Sequence, residues 1–377
     1  MNILVLFTYG ISLRTWKEQG LIEREFKLYK KLLALNPNLK FTFITFGNIE
    51  DLEIQQQYNL ECFKIIPIYS EVKLSKNKIF NLIRTVLFIF QYKKNLKNID
   101  LVKTNQLNGV WIAVILKKVL SVPLYVRTGF SPYLFAKYQD QKYYKILIFK
   151  ILTLIGIRYS NLYTVSSKQE KKLLKNELRL NNENIEIRSN WIIETDYKSL
   201  EGRKKDSLLA VGRLENQKNY FQLIENLKNS DYSLDIVGTG SLKKELAAFA
   251  KKNNVTVNFL GKLDNAKLLD LYGNYTFYVL ASHYEGNSKS IKEAMNGGCV
   301  VIANNIMSVL EIITDYKSGI IVDFNKENIP DNLSKLTLNN ELLNEISFNA
   351  HKAVKQFSLT SYATKELKDY FLLTEAN

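Results

Sequence analysis

Residues that staple or bend small folds are scarce in this chain. Of 377 residues only two are cysteines, Cys62 and Cys299, far apart in apolar contexts. That leaves no disulfide framework and no CxxC metal site, and it points to a reduced, cytoplasmic compartment. The two histidines, His283 and His351, cannot supply a histidine metal cluster or a serine–histidine triad. No Asp-x-Asp pair, no G-x-x-x-x-G-K-[ST] loop and no serine elbow occurs, which removes the usual carboxylate pair of a metal-dependent transferase. No run reaches the roughly 20 uncharged residues that span a bilayer. The opening Met1–Phe7 lacks a basic n-region and a small-residue cleavage site, so it reads as a buried first strand rather than a signal peptide.

What is present describes a soluble globular protein with ample core: 46% hydrophobic and 24% charged residues, in a length that suits two domains. The net charge of +15 is uneven. Residues 1–190 carry 30 Lys+Arg against 14 Asp+Glu, and residues 191–377 carry 22 against 23. A compositional taste for lysine would raise both halves alike. The asymmetry instead calls for an anionic partner of the first half: membrane surface, nucleic acid or anionic saccharide.

Apolar strands alternate with helical runs along the first half: Ile3–Thr8, Lys40–Thr45, Lys64–Ile68, Leu101–Thr104, Pro123–Arg127 and Leu162–Val165. Gln19–Leu35, Lys78–Lys94, Gly109–Leu120 and Ser167–Glu177 are the helices expected between them. Continuous apolar strands separated by helices predict a parallel sheet covered on both faces. A polar stretch from Glu194 to Asp206 follows, and a second series begins at Ser207–Gly212 and continues through Ser233–Val237, Thr256–Leu260, Thr276–Leu280 and Val300–Ala303. The prediction is two Rossmann-like α/β domains, 1–190 and 191–358, facing a ligand cleft, with 359–377 as a last helix. Leu359–Leu373 reads as amphipathic, with Tyr362, Leu367, Tyr370 and Phe371 on its apolar side.

The most informative stretch is Glu285-Gly286-Asn287-Ser288-Lys289-Ser290-Ile291-Lys292-Glu293, followed by Ala294-Met295-Asn296-Gly297-Gly298. It lies between two predicted strands, where the loop reaches the ligand edge of a parallel sheet and the helix start offers free N–H groups. Carboxylates placed there accept hydrogen bonds from sugar hydroxyls. The stretch resembles the E-x7-E signature of retaining, nucleotide-sugar-dependent glycosyltransferases of family 4, which have the GT-B fold. It is similar to the variant E-G-N-P-K-x-x-x-E-A-M-x-x-G, with Ser288 in place of proline. The resemblance implies that Glu293 holds the nucleotide ribose and Glu285 the transferred sugar. Asn287, Ser288, Lys289 and Ser290 would cradle sugar and diphosphate. It also implies a C-terminal helix that crosses back to the N-terminal domain.

Three further loops look like elements of the same family. Gly212-Arg213-Leu214-Glu215-Asn216-Gln217-Lys218-Asn219 resembles G-R-L-x-x-x-K-N. Fixed cations there would stabilise the charge gathering on a departing diphosphate, Arg213 as a planar fork and Lys218 as a point charge. Ile236-Val237-Gly238-Thr239-Gly240 resembles I-V-G-x-G; its small residues either admit a nucleotide or simply make a tight turn. Phe259–Asp264, with Gly261, Lys262 and Leu263, resembles the element lining the base pocket. In the first half, Gly10 ends the first strand and would allow close approach of donor phosphates or acceptor. Arg127 and Asn105, also at strand ends, are candidate acceptor contacts. Trp16 is either a sugar-stacking ring or a core residue.

Two segments suit an anionic interface without spanning it. Ile79–Phe90 carries Ile79, Leu82, Ile83, Val86, Leu87 and Phe90, ringed by Lys73, Lys76, Lys78, Arg84, Lys93, Lys94 and Lys97. Lys142–Arg158 carries Ile146, Leu147, Phe149, Leu152 and Ile155. Each adjacent lysine would add roughly 1 kcal/mol at such a surface, and the competing reading is two core-packed helices. The expected function is transfer of a sugar from a nucleoside-diphosphate sugar to a saccharide or lipid-linked acceptor, with retention, in bacterial surface-polysaccharide synthesis. No cofactor and no metal are expected, and the protein would be cytoplasmic or peripheral on the inner membrane face. The alternatives are a non-catalytic basic protein binding nucleic acid or anionic polymer, and a nucleotide-sugar epimerase or phosphorylase of the same fold.

Overall fold

Two parallel sheets organise the chain, each in its own unit. A computed structural model describes residues 1–72, 75–181 and 184–375; Lys73 and the side chain of Lys78 lie outside the described residues. One unit comprises Met1–Ser189 with Thr360–Asn377, the other Asn190–Leu359. The first contains β1 (Asn2–Leu6), β2 (Lys40–Thr45), β3 (Lys64–Pro67), β4 (Leu101–Thr104), β5 (Leu124–Arg127), β6 (Leu162–Val165) and β7 (Ile185–Ile187). Their order across the sheet is β3-β2-β1-β4-β5-β6-β7, every pair parallel. The second contains β8 (Lys204–Val211), β9 (Ser233–Val237), β10 (Val257–Gly261), β11 (Tyr275–Leu280), β12 (Val300–Asn304) and β13 (Ile320–Val322). These run β10-β9-β8-β11-β12-β13, again all parallel.

Sequence chemistry explains the central strands. β4, β5, β6 and β11 are buried along their whole length, because helices cover both faces of a parallel sheet and leave no side for alternating polar residues. Two apolar layers flank the second sheet, one around Leu208, Ile236 and Phe277, the other around Leu209, Tyr278 and Met295.

Several expectations need correction. The helix expected over Gln19–Leu35 begins only at Ile22, and a separate short helix, Leu13–Glu18, precedes it. Gly20 takes φ +66°, and Ser12 with Thr15 forms a reciprocal N-terminal cap on the short first helix. Trp16 is a core residue: it is 4% exposed and its ring stacks on Phe7 at 4.1 Å. Arg127 and Asn105, expected at acceptor hydroxyls, are also buried. The Arg127 Nη1 donates to Asn105 Oδ1 at 3.4 Å and lies 3.6 Å from Glu25 Oε2, so both side chains are engaged inside the unit.

The last helix, Leu359–Glu375, buries Tyr362 and Tyr370 of the expected side but adds two carboxylates to it in place of Phe371. Tyr362, Glu366, Asp369 and Tyr370 are buried, whereas Phe371 is exposed. Glu366 pairs with the equally buried Lys103 of β4, and Arg188 Nε donates to Asp369 Oδ2 at 2.8 Å. Burial pushes the Glu366 carboxyl up, but Lys103 and the Tyr370 hydroxyl more than reverse this and hold it below the ordinary glutamate value.

Candidate functional site

The loops that leave the C-terminal ends of β8, β9, β10 and β11 are laced together, and most of the expected site residues sit on them. The β8 loop is the spine. Gly212 N–H donates to Val237 O at 3.0 Å, and Leu214 N–H to Thr239 O at 3.0 Å, which ties it to the β9 loop. Gly238 N–H then donates to Gly261 O at 2.8 Å, joining the β10 end. On the other side His283 N–H donates to Gln217 O at 3.0 Å, and Gln217 Nε2 returns a bond to Tyr284 O at 2.9 Å.

Backbone proximity, not open space for a ligand, explains two of the glycines. A Cβ on Gly238, whose φ is +151°, would fall 1.9 Å from the Gly212 carbonyl oxygen. One on Gly240 would meet Leu214 O at 2.4 Å. The G-x-G turn is therefore small so that it can press on the neighbouring loop. Gly212 makes room for the Lys218 side chain, whose Cε would lie 2.6 Å from an added Cβ. Gly261 and Gly10 differ: both have positive φ, and nothing lies within 4 Å of the position a Cβ would take.

Lys218 and Glu285, expected to meet diphosphate and sugar respectively, meet each other. Lys218 Nζ lies 2.6 Å from Glu285 Oε1, with both side chains largely buried. Eight residues on, Glu293 is buried on the Lys289–Asn296 helix and pairs with Lys289 at 3.0 Å. The Lys289 ammonium in turn lies over the Trp191 ring at 5.4 Å. Ser288 stands at the helix N-cap without a capping bond, its hydroxyl 3.2 Å from that of Ser290, which accepts from Tyr278 OH at 2.8 Å. Arg213 and Lys262 are exposed, and Leu263 is half-buried.

One cluster was invisible to sequence reasoning. Lys292 is fully buried, yet its Nζ donates to Asn190 O at 3.1 Å and to Asn287 Oδ1, and lies over the Phe357 ring at 3.9 Å. Asn190 closes the arrangement, with N–H to Asn287 Oδ1 at 3.2 Å and Nδ2 to Asn287 O at 3.1 Å. Burial lowers the Lys292 ammonium to about 7, and the Glu311 carboxylate opposes that shift. Asn190 lies 97 positions from Asn287, so no local pattern could have linked them. Lys292 in the middle of an apolar helix face was the available signal. Among the described residues, no group of three or more His, Cys, Asp or Glu side chains could hold a metal ion.

Chemically, the arrangement offers paired cations and carboxylates at the C-terminal edge of a parallel sheet, where anionic ligands with hydroxyls are held in such folds. Residues 193–353 match the family described as glycosyl transferases group 1. That group 1 match spans the loops just described. An uncharacterized glycosyltransferase of Methanocaldococcus jannaschii is 28% identical over 40% of this chain, which spans 43% of that relative's length. A Campylobacter jejuni α-1,4-N-acetyl-D-galactosaminyltransferase, named for an undecaprenol-diphosphate-linked acceptor, is 23% identical over 63% of this chain and 67% of its own. Anabaena HepE, solved with UDP and glucose, superposes with a TM-score of 0.72 at 15% identity, covering 99% of this chain and all of its own. The fold is GT-B, two parallel-sheet α/β units, as in these glycosyltransferases.

Proposed function

We propose that this chain is a retaining glycosyltransferase that moves a sugar from a nucleoside-diphosphate sugar to a saccharide or lipid-linked acceptor in bacterial surface-polysaccharide synthesis. The proposed partners are the donor, that acceptor and an anionic membrane surface for the basic first half, in the cytoplasm or on the inner membrane face. No metal is required in this reading. The observation that carries it is the Lys218–Glu285 pair, together with the Glu293–Lys289 pair, both within the matched residues. The relatives reported above support it.

In this reading Glu285 holds the Lys218 ammonium in place, and Arg213 adds a planar cation, so positive charge is preorganised where the leaving diphosphate gathers its own. Glu285 also positions the sugar and Glu293 the ribose. Asn287 to Ser290 contribute backbone amides at a helix start. Gly212, Gly238, Gly261, Lys262 and Leu263 border the nucleotide, and Gly10 leaves space in the first unit. Attack by the acceptor hydroxyl on the same face as the departing diphosphate, which takes up the proton, would retain configuration.

The first test is thermal stabilisation by UDP, GDP, CDP and ADP and their sugar conjugates, with EDTA present. One diphosphate should raise the melting temperature selectively, and Glu293→Gln should abolish the rise while folding normally. Arg213→Ala and Lys218→Ala should lower turnover roughly 100-fold or more with little change in donor affinity. Equal losses of donor binding in all three variants would reject the assigned roles. Absence of any nucleotide response would reject the transferase itself.

A further inference from the structure

A group of large apolar side chains stands in solvent on the first unit, where a folded protein would normally bury them. On the Lys78–Tyr92 helix, Thr85, Phe88 and Ile89 face inward. The opposite stripe is exposed: Ile79 by 68%, Ile83 by 46%, Leu87 by 52% and Phe90 by 57%. The Tyr143–Tyr159 helix buries Thr153, Gly156 and Ile157 and exposes Tyr144, Leu147, Ile148 and Ile151. Of the residues expected at its interface face, Leu147 is exposed, whereas Ile146, Phe149, Leu152 and Ile155 are half-buried.

The topology puts both helices on one side of the sheet. The crossovers β3 to β4, β4 to β5 and β5 to β6 all progress in the same direction across the strand order. Right-handed crossovers then lay their helices on a single face. The Val110–Leu120 helix packs against both of the others and lies between them.

Charge selects the occupant. Residues 72–169 contain 17 Lys+Arg against only Asp100 and Asp140 as acids, and with the buried Lys103 and Arg127 set aside the cations there still far outnumber the acids. Two copies meeting through such a face would bring like charges together. An anionic lipid surface accepts both the apolar stripes and the surrounding cations. Among the described residues no helix is long and apolar enough to cross a membrane, so the helices would lie in the interface.

We propose that the outward face of the Lys78–Tyr92 and Tyr143–Tyr159 helices docks this protein on an anionic membrane surface. The proposal deepens and rests on the membrane partner named above. Lipid binding is measured without donor, so failure of the docking and failure of sugar transfer are told apart. The side chains named are exposed, so polar substitutions there should leave the fold intact.

The test uses the full chain in sedimentation with vesicles of phosphatidylcholine alone and of phosphatidylcholine mixed with phosphatidylglycerol. Binding should occur only to the anionic vesicles. It should fall about tenfold or more in Leu87→Gln/Phe90→Gln and in Ile148→Gln/Ile151→Gln, with melting temperatures unchanged. Hydrogen exchange of the unmodified chain on those vesicles should slow in these two helices, which checks the surface even if a variant misfolds. Equal binding to neutral vesicles, undiminished anionic binding by the glutamine variants, or slowed exchange elsewhere would overturn the proposal. So would a dimer in light scattering that the same substitutions dissolve.

Discussion

Lys292 sets the clearest problem at the scale of a residue. An ammonium with no exposed surface is costly, and the same desolvation lowers it to about 7. The folded state disfavours the proton that the unfolded chain holds up to the ordinary lysine value. Between these two pH values the unfolded chain binds more protons, so stability rises with pH there. The penalty is complete below about 7 and relieved toward 10.5. Lys292→Met removes the charge at similar volume, while Asn287 Oδ1 keeps its bond from Asn190 N–H. The variant should therefore be more stable than the parent by roughly 1–3 kcal/mol at pH 6, and chemical denaturation should show the gap closing by pH 10. A variant less stable at pH 6, or a gap that ignores pH, would refute this reading. Lys218 and Glu285 were legible as site residues because each sits in a recognisable loop, although their contact with each other was not. Lys292 and Asn190 were not, because their partners are set by tertiary packing.

At the scale of the element, the loops after β8, β9 and β10 act as one packed unit, and their glycines differ in kind. Gly238 has both a positive φ and a backbone oxygen where its Cβ would go, whereas Gly261 has the positive φ alone. Alanine at Gly261 should cost about 1–2 kcal/mol, the penalty for a left-handed residue. Alanine at Gly238 should cost more, through overpacking added to strain, and should also dull any nucleotide response because the β8 loop must shift. Urea midpoints of the two variants check the order; a reversed order would mean that the loops do not pack as described. The same contrast explains which elements could be read from sequence. β1, β11 and β12 stand out as apolar runs bounded by polar residues. The edge strands β7 and β13 have three residues each, too short for a hydrophobic period to register. The later helix start at Ile22 depended on one backbone angle, the positive φ of Gly20, which the residue pattern around it does not announce.

For the whole molecule, the chain's last residues belong with its first. Thr360–Asn377 joins the unit built from Met1–Ser189, so that unit is completed only after the whole of Asn190–Leu359 has been made. A buried charged cluster lies at that attachment: Lys103 and Glu366 are both fully buried, with Tyr370 OH donating to the same carboxylate and Lys103 Nζ 3.2 Å from that hydroxyl. The apolar pattern of the last helix therefore located Tyr362 and Tyr370 but missed Glu366 and Asp369, whose cations lie far away in sequence. A buried pair of this kind adds little over an apolar pair of the same shape, but losing one partner strands a charge. Glu366→Leu alone should thus destabilise the first unit by about 3–5 kcal/mol, and Lys103→Met added to it should recover most of the loss. Amide hydrogen exchange would localise the effect, speeding in the Met1–Ser189 unit and unchanged in Asn190–Leu359. If the double substitution is no better than Glu366→Leu, the pair contributes attraction beyond shape, and the last helix is held by its charges rather than by its fit.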